Sequence, residues 1–351
     1  MKKPIACGAF KSYVIDENAN IWYFGADVNG IQQLPAETGT SRMIAVAAGC
    51  YHALFLDDAG KVWGLGYNNS FQLGISDSPA TINTPRLIPL PATEIVAIAC
   101  GDYHSLLLDA EGFVWASGDN LNGQCGNFNV RSKQPSFRKI DDLQNIRDIQ
   151  ASVQFSMFLS NDGEVWTCGN FPKNSASSEL RLVSVPPIRA MAAGVYFCLL
   201  IDFEGKVWGY GDNDFGQLGC PTFAVGTPTM FRELPPIRAC AAGWNFCIFL
   251  GEDNSFWTTG CNTHGTLCDG KTASPGCDRP IRIETEPPIV TVSCGWNHSL
   301  FVDCDGDVWC SGEGKKLPFG KTECTSVLTR VAFQQKIPVE RRKHVKSARK
   351  I

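Results

Sequence analysis

Seven short segments of the chain carry the residues whose types could do chemistry. Each lies directly after a glycine or, once, a serine. They read Ala9-Phe10-Lys11, Cys50-Tyr51-His52, Asp102-Tyr103-His104, Val153-Gln154-Phe155, Val195-Tyr196-Phe197, Trp244-Asn245-Phe246 and Trp296-Asn297-His298. Histidine in such a segment is the side chain expected of a general base or a metal ligand. However, phenylalanine occupies the same third position in three of the segments, and a position that accepts either ring favours packing. We therefore predict no catalytic base.

The first two positions of these segments suggest recognition of a partner. Trp244 and Trp296 stand in neighbouring segments, next to Tyr196, and exposed aromatic side chains gathered on one face are typical anchors of an interface. The predicted partner-binding residues are Trp244, Trp296, Tyr196, Asp102, Tyr103, Tyr51 and Asn297. The alternative is that the tryptophans only cap a central channel.

One group of residues has the chemistry of a zinc site. Cys261, His264, Cys268 and Cys277 are possible zinc ligands in a predicted loop, but their spacing matches no common zinc module. Most other cysteines align with alanine or serine elsewhere in the chain, as expected for small buried residues. The stretch DCDGDVW from Asp303 lacks the glutamate of a calcium loop. We predict no metal and no cofactor.

The remaining sequence contains no phosphate-binding loop, catalytic triad or paired-carboxylate motif, so it predicts a protein that is not an enzyme. A net charge of −4 gives no general attraction to nucleic acid or membranes. Residues 339–351 form a basic tail that is the exception, with Arg341, Arg342, Lys343, Lys346, Arg349 and Lys350. The tail is either a solvated extension or an address: a nuclear import signal, or a patch for nucleic acid or an acidic partner.

The N-terminal segment lacks the apolar run of a signal peptide, and no stretch approaches the roughly 20 apolar residues of a membrane span. The 16 cysteines are then expected to be reduced thiols rather than a disulfide framework. These features predict an intracellular protein, cytoplasmic, nuclear or both.

A repeat positions all seven segments. A tryptophan recurs at intervals of about 40 to 50 residues, with a glycine three residues later each time. The tryptophans are Trp22, Trp63, Trp115, Trp166, Trp208, Trp257 and Trp309. Each is preceded by an apolar run and a turn rich in Asp, Glu and Gly, which is the pattern of a β-hairpin. No long helical periodicity occurs.

Seven such units predict an all-β fold, a seven-bladed β-propeller with four-stranded blades. Radial stacking buries both faces of each small sheet, and the repeated tryptophan packs between blades. The first unit opens at PIACG with no proline-marked strand before it, whereas the last ends with LTRVAFQQKIPV. We therefore expect the two ends of the chain to be joined in one blade, giving one monomeric propeller over residues 1–338.

The sequence resembles the regulator of chromosome condensation repeat family. The motif AGxxHSLxLDxxGxVWxxGxNxxGQLG is almost intact from Ala99 to Gly126 and from Ala192 to Gly219, and the resemblance extends from about Ala6 to Phe333. It implies a propeller with a role in protein recognition. The family includes the chromatin-bound exchange factor for the GTPase Ran, domains of ubiquitin ligases, and a plant UV-B photoreceptor, and the fold alone does not choose among them.

The resemblance also shows where this chain departs from those relatives. In the Ran exchange factor the corresponding face carries acidic and histidine side chains and an inserted hairpin. Here Asp102 is the only acid in the seven segments, and the turns that end at Gly74, Gly126 and Gly219 have equal lengths, without an insertion. GWNFC and GWNHS lack the arginines of the photoreceptor motif. The prediction is a non-enzymatic propeller that binds a protein through its axial loop face. The most concrete version is an exchange-factor-like regulator of a small GTPase, and the alternative is a structural subunit of a larger assembly.

Overall fold

The computed structural model describes residues 3–35, 41–91, 93–126, 132–172, 175–220, 224–272, 274–318 and 323–339. Within these residues the chain forms 28 strands, and a 3₁₀ turn at Gly314–Lys316 is the helical element. No helix in the described part of the chain is long and apolar enough to cross a membrane. The charged residues of the predicted basic tail, 341–350, lie outside the described ranges.

The strands follow one another in groups of four, which we number as blades 1 to 7. Blades 1 to 3 contain β1 (Ile5–Cys7), β2 (Lys11–Ile15), β3 (Ile21–Gly25), β4 (Gln32–Gln33); β5 (Met43–Ala48), β6 (His52–Asp57), β7 (Val62–Tyr67), β8 (Thr81–Leu87); β9 (Ile95–Cys100), β10 (His104–Asp109), β11 (Val114–Gly118) and β12 (Gln134–Lys139). Blades 4 and 5 contain β13 (Ile146–Ala151), β14 (Phe155–Ser160), β15 (Val165–Gly169), β16 (Ser177–Leu182); β17 (Ile188–Ala193), β18 (Phe197–Asp202), β19 (Val207–Asp212) and β20 (Ala224–Met230). Blades 6 and 7 contain β21 (Ile237–Ala242), β22 (Phe246–Gly251), β23 (Phe256–Asn262), β24 (Ser274–Ile283); β25 (Ile289–Cys294), β26 (His298–Asp303), β27 (Val308–Gly312) and β28 (Thr325–Arg330).

Each blade is an antiparallel four-stranded sheet, with its first strand beside the axis. The second strand is buried along its whole length in blades 2 to 7, because a neighbouring blade covers each face of the sheet. Seven hydrophobic clusters fill the seven interfaces between blades; Leu54 of blade 2 and Ile98 of blade 3, for example, share one of them. The seven-bladed propeller predicted from the repeat is confirmed.

The repeated tryptophan belongs to the hairpin of its blade as well as to the interface. In blade 5, Trp208 is half-buried against the cluster shared with blade 4, and its indole N–H donates to Asp202 Oδ2 at 3.1 Å. The other carboxylate oxygen of Asp202 accepts the backbone N–H groups of Glu204 and Lys206, both at 2.9 Å. Asp16, Asp57, Asp109 and Asp303 bind their own tryptophans in the same way. The repeated Asp is thus a turn residue, and the carboxylate of Asp303 is occupied by its own hairpin.

The repeated glycine at the end of the first strand allows the blades to meet closely around the axis. A Cβ on Gly49 would lie 2.1 Å from the carbonyl oxygen of Gly101, and a Cβ on Gly101 would lie 2.1 Å from that of Ser152. Any larger side chain would push neighbouring blades apart. Ser152 is the exception in blade 4, and its hydroxyl donates to the carbonyl oxygen of Gly194 in blade 5.

The expectation that the chain ends share a blade needs correction. Every sheet consists of four consecutive strands, so no blade combines strands from both ends among the described residues. The segment Thr325–Arg330 pairs as β28 with its own blade 7. Instead, the C-terminal segment bridges the first and last blades by two backbone hydrogen bonds. The carbonyl of Lys336 accepts the N–H of Glu17 in the hairpin turn of blade 1. The N–H of buried Ile337 donates to the carbonyl of Gly306 in blade 7.

Other blades show what this contact replaces. At the start of blade 3, Ile95 donates to Gly60 of blade 2, and the carbonyl before it, Glu94, accepts from Ala110 of its own hairpin. Ile337 and Lys336 make the same two bonds between blades 7 and 1. The innermost strand of blade 1, β1, has three residues instead of six. The C-terminal segment therefore supplies the missing start of that strand without pairing as a strand.

Candidate interaction site at the mouth of the axial channel

The three histidines of the axial segments hold neighbouring blades together. The Nε2 atoms of His52, His104 and His298 each lie 2.8 Å from a serine hydroxyl of the next blade. All three rings are buried, and this burial lowers the pKa of each imidazole to about 3. Their Nδ1 atoms have no hydrogen-bond partner in the described part of the chain. A buried neutral ring bound between blades is a packing element, which agrees with its exchange for phenylalanine in blades 4 to 6.

The aromatic residues of the axial segments form a continuous arc over five blades. Trp244 contacts Trp296 with ring centroids 4.6 Å apart, and Trp296 contacts Phe10 at 5.4 Å. Phe10 stacks on Tyr51 at 5.0 Å, and Tyr51 lies 6.5 Å from Tyr103. Trp244, Tyr51 and Tyr103 are 38%, 44% and 41% exposed. We call these five residues the aromatic arc. It leaves a large aromatic surface open to solvent.

Trp296 also reaches across the mouth of the channel. Its indole N–H lies near the carboxylate of Asp102, which belongs to blade 3. Both residues line a cavity of about 80 Å³ at the axis, whose other walls are the small residues that end the first strands. Asp102 is only 8% exposed, and burial raises its pKa to about 7. The ring of Trp296 thus covers part of the channel, while Trp244 next to it faces solvent.

A buried lysine that the sequence did not indicate contacts two rings of the arc. Lys316, in the 3₁₀ turn of blade 7, is buried, and its Nζ lies 5.4 Å from the ring centre of Phe10 and 5.9 Å from that of Trp296. Its ammonium pairs with Glu313 at 2.9 Å, and Glu313 accepts a hydrogen bond from Asn297 at 3.3 Å. The signal in the sequence was the replacement of the usual Gly-Gln-Leu-Gly turn by Gly-Lys-Lys-Leu in the last unit.

Tyr196 occupies a different sector from the arc. Its hydroxyl donates to Gln154 Oε1 of blade 4 at 3.4 Å, on the side away from Trp244. The structure therefore joins Trp244, Trp296, Tyr51, Tyr103 and Asp102 at one side of the mouth. Asn297 is connected to this group because it donates to Glu313, which pairs with Lys316 under the arc.

The four candidate zinc ligands make separate contacts. Cys268 is buried with its sulfur 3.2 Å from Ser311 Oγ, and Cys277 bonds to the carbonyl of Arg279. Cys261 and His264 each contact the hydroxyl of Thr263. No three His, Cys, Asp or Glu residues in the described ranges are placed to hold a metal. In this arrangement the four candidate zinc ligands do not converge on one point. All 16 cysteines lie in the described ranges, and no disulfide joins any two of them.

Comparison with known proteins identifies the family of this propeller. The profile of the RCC1-like domain matches residues 28–349, which is nearly the whole chain. The chain belongs to the RCC1-like domain family. The resemblance predicted from the repeated motif is confirmed.

Individual relatives match shorter parts. The mouse RCC1-like G exchanging factor-like protein is 32% identical over 161 residues, which are 40% of this chain and 35% of the mouse protein. The chain spans about a third or less of the curated relatives that it matches first.

Two crystal structures share the fold over most of the chain. Human WBSCR16 has a TM-score of 0.77 at 23% identity, covering 89% of this chain and 86% of that protein. Prp20p of Saccharomyces cerevisiae has a TM-score of 0.76 at 22% identity, covering 85% and 81%. At these identities the likeness establishes the propeller and leaves the chemistry of the mouth to the residues of this chain.

Proposed function

We propose that this propeller binds another protein through the aromatic arc and that it is not an enzyme. The observation that carries the proposal is the arc itself: five rings, each in contact with the next, of which three are more than a third exposed and one lines a cavity beside a buried acid. Aromatic side chains with buried edges and exposed faces dominate the binding energy of protein interfaces. Trp244, Trp296, Tyr51, Tyr103 and Asp102 are the proposed partner-binding centre, with Asn297 and Tyr196 at its border.

The most concrete partner is a small GTPase, with the propeller acting as a regulator of nucleotide exchange. Two comparisons support this choice. One relative is named as an exchanging factor-like protein, and Prp20p is described through its binding to Gsp1p and histones. Such a role fits a monomeric propeller in the cytoplasm, the nucleus or both, with nucleic acid bound only through the basic tail.

A scaffold role without exchange activity is the second candidate, and two observations favour it. The histidines of the axial segments are buried between blades and face serines, so they are not available to a partner. In addition, the turns that end at Gly74, Gly126 and Gly219 carry no inserted hairpin that could displace a nucleotide. In this case the arc would dock the propeller in a larger assembly.

Release of a fluorescent guanine nucleotide separates the two candidates. Small GTPases loaded with the nucleotide are mixed with the full chain at a few per cent of their concentration. Accelerated release by the parent protein, lost in Trp244→Ala, is the result expected of an exchange regulator. Stable co-purification at equal amounts without acceleration indicates the scaffold. A GTPase panel with neither binding nor release excludes regulation of those GTPases.

A further inference from the structure

We propose that the mouth of the axial channel binds a lysine side chain of the partner protein, with the carboxylate of Asp102 as its counter-ion. The inference rests on the proposed function, because it names the chemical feature of the partner that the aromatic arc surrounds.

Asp102 is a buried acid without a cation of its own. It is 92% shielded from solvent, and among the described residues no lysine or arginine lies within ion-pair distance of it. The indole N–H of Trp296 lies near its carboxylate. A buried carboxylate without a paired cation is costly in its charged form, and a cation from outside would offset that cost. Burial raises the pKa of Asp102 to about 7, which agrees with a buried acid that has no cation beside it.

The lysine at the aromatic arc does not pair with this acid. The ammonium of Lys316 is bound to Glu313 at 2.9 Å. Its ammonium nevertheless shows that these rings accept a cation, since it lies within 6 Å of the ring centres of Phe10 and Trp296. Trp296 also lines the axial cavity beside Asp102, where a second cation would meet its ring.

The surroundings of Asp102 fit the stem of a lysine as well as its charge. Burial and, to a smaller extent, the charge of Asp102 raise the pKa of the Tyr51 and Tyr103 phenols, and Trp296 lines the same cavity as the acid. These rings can cover the methylene groups of an incoming lysine, whose ammonium remains at the polar end. The cavity of about 80 Å³ has room for a few water-sized groups, and an ammonium is of that size.

Lysine fits the site better than arginine. A guanidinium binds a carboxylate most strongly with two parallel hydrogen bonds, one to each oxygen. The cavity of about 80 Å³ that Asp102 and Trp296 line has less room for a planar guanidinium than for an ammonium. An ammonium needs only one free oxygen as its acceptor.

The test uses n-butylammonium as a probe and the indole N–H signals of the full chain in ¹⁵N NMR spectra. The signal of Trp296 is assigned with Trp296→Phe, and the probe is titrated at about pH 8, where Asp102 is charged. Neutral n-butanol and propylguanidinium are titrated in parallel. Asp102→Asn keeps the shape of the side chain but removes the charge. Asp214→Asn is the matched control, because Asp214 is an exposed acid on the same face in blade 5.

The expected result is a saturable shift of the Trp296 signal with butylammonium, weakened about tenfold or more in Asp102→Asn and unchanged in Asp214→Asn. The shift in the parent protein should also weaken at about pH 6, where Asp102 is mostly protonated, and this tests the role of the carboxylate without a substitution. Equal shifts with butanol, equal shifts in Asp102→Asn, or tighter binding of propylguanidinium would overturn the proposal. If Trp244→Ala loses protein binding but butylammonium gives no response, the arc remains the proposed interface and only the lysine-binding proposal is rejected.

Discussion

Ser12 Oγ of blade 1 lies 2.8 Å from His298 Nε2 of blade 7, and this buried hydrogen bond joins the two ends of the propeller. The pairs His52–Ser105 and His104–Ser156 make the same bond within the chain. Where the histidine is replaced by Phe155 or Phe197, the facing residue is a cysteine in the same cluster, Cys198 or Cys247. In these pairs a polar ring faces a hydroxyl and an apolar ring faces a thiol. Phe246 of blade 6 departs from the rule, because the corresponding residue of blade 7 is Ser299.

This pairing predicts the outcome of a double-mutant cycle. Ser12→Ala should lower the free energy of unfolding by about 1–3 kcal/mol, because it leaves a buried imidazole nitrogen unsatisfied. His298→Phe combined with Ser12→Cys copies the pairs of blades 4 and 5 and should be less destabilised than Ser12→Ala. Urea unfolding measures both. If the double variant is less stable than Ser12→Ala, a Phe–Cys pair cannot replace the His–Ser pair at this interface.

Trp208→Ala should lower the free energy of unfolding by about 3 kcal/mol, at the lower end of the range for large aromatic residues, since the ring is half-buried. The variant loses both the packing against blade 4 and the hydrogen bond to Asp202. Asp202→Asn, which retains an acceptor for the indole, is the milder control. Thermal unfolding unchanged by Trp208→Ala would show that the repeated tryptophan does not stabilise the interface.

Asp102→Asn should become more stabilising as the pH rises. The pKa of Asp102 is raised from 3.8 to about 7 in the folded protein, so between these values the folded form binds a proton more tightly than the unfolded chain. The stability that this proton contributes is present in acid and is lost as the pH rises through about 7. Asparagine cannot ionise, so the variant gains stability relative to the parent over this range.

Urea unfolding at about pH 5 and pH 8 checks this expectation, with Asp214→Asn as the control. The other titratable groups that face Asp102 are Cys50, Tyr51 and Tyr103, whose pKa values are raised, that of Cys50 to about 12. They stay neutral over this range and do not obscure the effect. An equal effect of Asp102→Asn at both pH values would contradict the buried, unpaired state of the acid.

Trp244→Ala with Trp296→Ala should weaken binding of the protein partner by about 2 kcal/mol or more, roughly 30-fold, with little change in unfolding. Calorimetric titration with the partner found in the exchange assay measures this loss. Phe203→Ala is a suitable control, because Phe203 is exposed in the hairpin turn of blade 5, at the opposite ends of the strands. Equal binding by the double variant would direct attention to the irregular segment from Asn170 in blade 4.

Removal of residues 340–351 should leave the unfolding temperature almost unchanged and abolish nuclear accumulation or low-salt binding to nucleic acid. Six positive charges against one acid give binding that weakens steeply with salt, because each phosphate contact releases bound counter-ions. Fluorescence microscopy of tagged chains and salt titration of nucleic-acid binding make the comparison. Identical behaviour of both chains would identify the tail as an extension only.

The sequence by itself determined the features that repeat within one blade. The hairpin bonds of Asp202 and Trp208 join residues six positions apart, so the same local pattern returns in unit after unit and can be read without the fold. The exchange of His298 for phenylalanine in the same register correctly indicated a packing ring. The number of blades followed from the count of these units.

Only the tertiary structure decided which side chains meet across the axis. Trp296 and Asp102 meet although three blade interfaces separate them. Lys316 reaches the aromatic arc from an irregular turn. Lys336 bonds to Glu17 where the first and last blades close the propeller. These contacts depend on the direction of single side chains over a shared channel, which no repeat encodes. For the same reason Cys261, Cys268 and Cys277, close in the sequence, face separate partners: neighbouring residues of a turn or strand point in different directions.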